Sequence, residues 1–240
     1  MAGLSCQVDN IQPQNSFVAD FFTNVSSLEL IVAYEENAEP YTTFNAKNAW
    51  NIVSENLAQL LQGRNITYTI PTELNQMAYL GKIGQENYSN TDLQNLAKDL
   101  QKFTNKEAQK GLVVLFLDGY FTKDGEILDN VLGLNINGTA IVALFKPVIE
   151  SATPSYTLRT LVEQTTLTHE IGHALGLVNN GITLTSPHHD EVNGAHCTNK
   201  DCVMYWSNGG GNVVDFVQPY LTGGKIDLFG EECLKDVREF

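Results

Sequence analysis

Residues 112–117 read LVVLFL, six apolar side chains in unbroken succession. A strand with one face in water alternates apolar and polar residues, so an uninterrupted run marks a central strand covered on both faces. Such a strand needs helices to cover it, and the rest of the chain supplies them. The fold class predicted is α+β, a mixed α/β arrangement.

Upstream, LELIVAY at 28–34 is β-rich, and the segment 41–62 carries Trp50, Val53, Leu57, Leu60 and Leu61 at helical spacing before Gly63 stops it. ITYTIP at 66–71 reads as a strand. TDLQNLAKDLQKF at 91–103 reads as a helix with Thr91 as its cap and a stripe of Leu93, Leu96, Leu100 and Phe103. Downstream, VLGLNI at 131–136 and TAIVALFKPVI at 139–149 are two strands separated by Asn137-Gly138, a strong hairpin signal. A long helix is predicted from about Ser155 to Leu177. Beyond it Gly, Asn, His and Cys are frequent and periodicity is lost until a short helix near 230–238. There is no internal repeat and no linker, so residues 1–240 are expected to form a single catalytic domain. Its N-terminal lobe would span 1–177 and a small irregular C-terminal lobe 178–240.

The chain of 240 residues has a net charge of −14, which argues against nucleic acid and anionic membrane surfaces, since both require clustered Lys and Arg. No apolar run approaches the ~20 residues of a membrane span. The opening MAGLSCQVDN has neither the basic region nor the apolar core of a signal peptide. Four cysteines, Cys6, Cys197, Cys202 and Cys233, contain no C-x-x-C pair. The even count suits two disulfides, Cys197–Cys202 and Cys6–Cys233, and these imply an oxidising compartment. The expected location is therefore secreted, periplasmic or cell-surface.

The segment 168–176, THEIGHALG, carries the chemistry. Positions i and i+4 share a helix face, so His169 and His173 can aim ring nitrogens at one ion. Glu170 is turned about 100° from His169, beside the metal position and not on it, where a base must sit. Gly172 and Gly176 weaken a helix, and two of them within five positions need a reason such as close packing or a helix stop. Two ligands leave zinc under-coordinated, so a third must come from elsewhere. His188, His189 and His196 all lie downstream; His189 and Asp190 stand nearer the helix and compete with His196 for the role.

This stretch resembles the metzincins, the zinc peptidases in which H-E-x-x-H-x-x-G-x-x-H precedes a methionine-containing turn. Position 179 is Asn, where that pattern has its third histidine. The chain is most similar to the archaemetzincins, whose third histidine opens a string H-C-x4-C-x-M; here HCTNKDCVM, His196 to Met204, matches every marked position. The third ligand has then moved 17 places, across the insertion VNNGITLTSPHHDEVNG. The resemblance implies a metzincin-like zincin fold, a twisted mixed sheet with packed helices. It also implies one catalytic Zn2+ on His169, His173 and His196, with Met204 as an apolar floor.

On this reading the protein is a zinc-dependent endopeptidase, expected to be a monomer acting on peptide or protein substrates, with Glu170 as general base for a zinc-activated water. The alternative is a secreted zinc-containing binding protein or a latent peptidase, for instance one with Cys6 as an inhibitory thiolate. Archaemetzincins also carry a later C-x-x-C that completes a second, structural zinc site. Only Cys233 remains here, so a Cys197–Cys202 disulfide behind His196 is expected in its place.

Overall fold

The computed structural model describes residues 16–101, 108–209, 213–222 and 225–240. Helix α1 (Ser16–Asn24) leads into strand β1 (Ser27–Tyr34), and the hairpin of β2 (Thr43–Phe44) and β3 (Lys47–Asn48) precedes helix α2 (Asn51–Leu60). Three short strands follow, β4 (Thr67–Thr69), β5 (Ala78–Tyr79) and β6 (Asn87–Tyr88), then helix α3 (Asn90–Gln101) and the central strand β7 (Gln109–Leu117). Strands β8 (Tyr120–Lys123), β9 (Glu126–Leu128), β10 (Gly133–Asn135) and β11 (Ile141–Phe145) come next, followed by helices α4 (Lys146–Ala152), α5 (Tyr156–Ala174), α6 (Val213–Val217) and α7 (Glu231–Glu239).

The main sheet has the order β10-β11-β7-β1-β4, with β5 also on β1. All its pairings are parallel except β10 against β11. The LVVLFL run lies in β7 between β1 and β11, with Leu115 opposite Ala33 on one side and Ala143 on the other. Every residue of that run is fully buried, as an apolar run of this kind requires. Helix α3 packs on β7 and β11, and α5 packs on β10, β11 and α2. No helix among the described residues is long and apolar enough to cross a membrane.

Three local expectations are corrected. The helix expected over 41–62 begins only at Asn51, because Asn45 and Ala46 turn the β2–β3 hairpin with positive φ. All five residues of the predicted stripe lie at 50 or later, so the periodicity never extended into YTTFNAKN. The cap of α3 is Ser89 and not Thr91: Ser89 Oγ accepts the Asp92 N–H while Asp92 Oδ2 accepts the Ser89 N–H and hydroxyl, a reciprocal box. The strand expected over 139–149 ends at Phe145, and Pro147 stands in the first turn of α4, where its missing N–H costs nothing. The Asn137-Gly138 turn does join β10 to β11, with Gly138 at φ 75°.

Candidate metal centre

Helix α5 is the platform. Ser155 caps its start, accepting the Leu158 N–H on Oγ, and fourteen of its nineteen residues are buried. Within it Glu163 is fully buried against Lys146 Nζ at 2.6 Å, and Glu163 Oε1 also accepts the Tyr41 N–H at 2.7 Å. Burial raises the Glu163 carboxyl above the usual range, against the opposing pull of the Lys146 charge.

The helix stops abruptly after the second histidine. Gly176 takes φ 87°; its N–H donates to His173 O and the Leu177 N–H donates to Gly172 O, the paired bonds of a Schellman ending. Asn180 Nδ2 adds a bond to the same His173 carbonyl at 2.9 Å. Gly172 serves close packing instead. A Cβ there would collide with Met204 Sδ and come within 3.1 Å of Leu177 Cδ1, so fully buried Met204 can lie against α5 only because residue 172 has no side chain.

The loop after α5 returns to the helix at His196. His169, His173 and His196 each bring a ring nitrogen to within 4.8 Å of the other two. His169 Nδ1–H donates to Val203 O at 2.6 Å, and His196 Nδ1–H donates to Asn193 O at 2.7 Å. A carbonyl can only accept, so both rings carry their proton on Nδ1 and turn a bare Nε2 inward. The Nε2 atoms of His169 and His173 stand 3.0 Å apart.

The electrostatics favour neutral rings. Burial, then the neighbouring His196, pushes His169 down to about 3, opposed only by the Val203 carbonyl. His173 is held well below the usual value by burial and then by the other two rings, and burial also lowers His196. Three neutral imidazoles, with a bare Nε2 turned inward on His169 and on His196, are a donor set that suits a divalent zinc ion.

Glu170 is 5 % exposed beside this cluster. Burial raises its carboxyl to about 8, and the Asn135 backbone of β10, hydrogen-bonded to it, pulls the other way. Gly133 lets β10 lie this close to α5: a Cβ there would meet Thr166 Cγ2 at 2.8 Å and Ala143 O at 3.0 Å. The supporting groups Asn135, Val203 and Asn193 contribute main-chain atoms, which a sequence motif does not show.

Neither rival third ligand joins the three-histidine group. His189 Nε2–H donates to Gly194 O, and Asp190 accepts from the backbone of Val192 and Asn193 and from Asn193 Nδ2. Asp190 and Asn193 shape the turn that presents His196.

The disulfide expectation is overturned. Among the described residues no disulfide is formed. Cys197 hydrogen-bonds to Cys202 and Cys233 without a covalent link, and Cys202 Sγ lies 3.6 Å from Cys233 Sγ, far beyond the ~2.05 Å of a disulfide. Cys197 and Cys233 meet His188 at one spot and Cys202 lies against both of these thiols, so no two of the three are singled out as a pair. Cys6 lies outside the described residues, so the Cys6–Cys233 link does too, and no argument for an oxidising compartment comes from Cys197, Cys202 and Cys233. His188, 3 % exposed, is held by the Cys197 thiol first and Asp236 second, which raise it to about 9 against its burial.

No protein-family model matches the sequence, and no curated protein matches it. Two solved structures are similar in fold. A zinc-dependent peptidase from Methanocorpusculum labreanum (strain Z) aligns with a TM-score of 0.50 at 14 % identity, covering 88 % of this chain and 99 % of that one. Archaemetzincin from Methanopyrus kandleri aligns with a TM-score of 0.47 at 16 % identity, covering 89 % and 95 %. The likeness to the Methanocorpusculum structure is one of fold, and the mixed sheet with packed helices that the resemblance implied is observed.

Proposed function

We propose that the protein is a zinc-dependent endopeptidase with His169, His173 and His196 as zinc ligands and Glu170 as general base. The observation that carries this reading is the convergence of three histidine ring nitrogens next to a buried carboxyl group that is not itself among them. A closed structural site has four protein ligands and needs no adjacent base, whereas three ligands leave a position open.

Bound zinc would supply Lewis acidity to a peptide carbonyl and to water in that open position. Glu170 takes the proton of the attacking water and returns it to the departing amine. The Asn135 contact holds the carboxylate in place for both transfers. Strand β10 is the end of the sheet and pairs only with β11 among the described residues, so an extended peptide can add along its other edge, next to Glu170.

A broad peptide library tests the proposal. Cleavage by the purified protein should be abolished by a chelator and restored by zinc. If the library shows no zinc-dependent cleavage, even after N-terminal trimming to remove Cys6, the zinc-containing binding protein is the better reading.

A further inference from the structure

We propose that His188, Cys197, Cys202 and Cys233 form a second metal site, a closed three-thiolate, one-imidazole set that holds a structural zinc ion. This does not rest on peptidase activity. The absence of C-x-x-C removed the expected fourth sulfur from the sequence, and a histidine in the insertion takes its place.

The geometry is that of a shared centre. The donor atoms of His188, Cys197 and Cys233 lie within 4.8 Å of one another, and all three residues are buried. His188 Nδ1 is 3.3 Å from Cys197 Sγ; Cys202 Sγ is 3.6 Å from Cys233 Sγ and hydrogen-bonds to Cys197. Sulfurs bound ~2.3 Å from one tetrahedral zinc stand about 3.8 Å apart, so the observed spacing is close to that of neighbouring ligands.

The surroundings are also those of a metal-binding histidine. His188 Nε2–H donates to Asp236 Oδ2 at 2.7 Å, which points Nδ1 at the thiols. Asp236 is fully buried, and its other oxygen accepts the Thr185 N–H and hydroxyl, each at 2.8 Å. This is a carboxylate–histidine–metal arrangement with the carboxylate itself held. The Asn199 N–H points at Cys197 Sγ at 3.4 Å, a donor suited to an anionic sulfur. Buried cysteines serving only as small apolar residues need none of these partners. On binding, each thiol releases its proton and His188 gives up any proton on Nδ1, keeping the Nε2–H that Asp236 accepts.

The site ties α7 to the segment that completes the histidine cluster. Cys197 follows His196, and Cys202 precedes Val203, whose carbonyl accepts the His169 Nδ1–H. A filled second site therefore positions two parts of the first.

Metal content and cobalt spectroscopy of the full chain, prepared with reductant and without chelator, test the proposal. Two zinc ions per chain are expected. Replacement by Co2+ should give an intense sulfur-to-cobalt charge-transfer band, which the three-histidine cluster cannot produce because it contains no sulfur ligand. The His169→Ala/His173→Ala variant should keep one zinc and the same band. His188→Ala should weaken that band, His188→Cys should restore it, and Asp236→Asn should reduce affinity by about 10–100-fold. A cobalt-loaded wild type with no sulfur band overturns the site, even if a variant fails to fold. So does a Cys202–Cys233 disulfide in wild type prepared with reductant.

Discussion

His196 and Cys197 are consecutive residues whose side chains enter two different clusters, one with His169 and His173 and the other with His188 and Cys233. The backbone at Cys197 bridges to His189 on one side and Tyr205 on the other, so it runs extended there. Successive side chains of extended backbone point to opposite faces. One short segment thereby braces both clusters.

Substitution of the third histidine separates the candidate ligands. His196→Ala should remove the zinc of the three-histidine cluster as fully as His173→Ala, each lowering metal content by one ion per chain. His189→Ala should keep wild-type content, since its ring only supports the Gly194 carbonyl. Metal analysis of purified variants decides this, and unchanged zinc in His196→Ala would remove it from the ligand set.

Glu170→Gln keeps the shape of the side chain and removes the base. Zinc content and Tm should stay near wild type, while peptide hydrolysis falls by ~10² or more. Equal loss of zinc and activity would instead make Glu170 a ligand or a structural group.

Gly172→Ala should cost about 1–3 kcal/mol of stability by driving Met204 and Leu177 off their positions. In a Met204→Ala background the same substitution should cost much less, because the two sites are in contact. Equal costs in both backgrounds, from denaturant unfolding, would show that Met204 is not the obstacle.

Lys146→Ala should destabilise the protein by about 3–5 kcal/mol, since it leaves Glu163 buried without its partner. The double variant Lys146→Met/Glu163→Gln should be milder than the single one. A small loss in Lys146→Ala, read by thermal unfolding, would mean that water reaches Glu163.

The parts legible in the sequence are those set by short-range periodicity. Burial of β7 followed from six consecutive apolar residues, and the pairing of His169 with His173 followed from one helical turn. Gly172 and Gly176 were legible as anomalies, though which one served packing and which one the helix stop was not. Where periodicity weakened, boundaries moved: the strand expected over 139–149 gives way to α4 after Phe145.

His196 lies 23 residues beyond His173 in the chain, and no local rule connects them. Only the H-C-x4-C-x-M pattern singled it out. The cysteines were misread for a related reason. Count and spacing suggest pairs, but a site is made by donors that meet at one point, and sequence spacing does not show that point. Local pattern alone determined a mixed α/β arrangement around a covered central strand, a two-histidine helix and a carboxylate beside it, while the mixed sheet with packed helices came from the resemblance. Tertiary packing decided the rest: α7 brings Cys233 and Asp236 to His188, across 45 and 48 residues of chain, and long-range contacts of this kind depend on how whole elements dock.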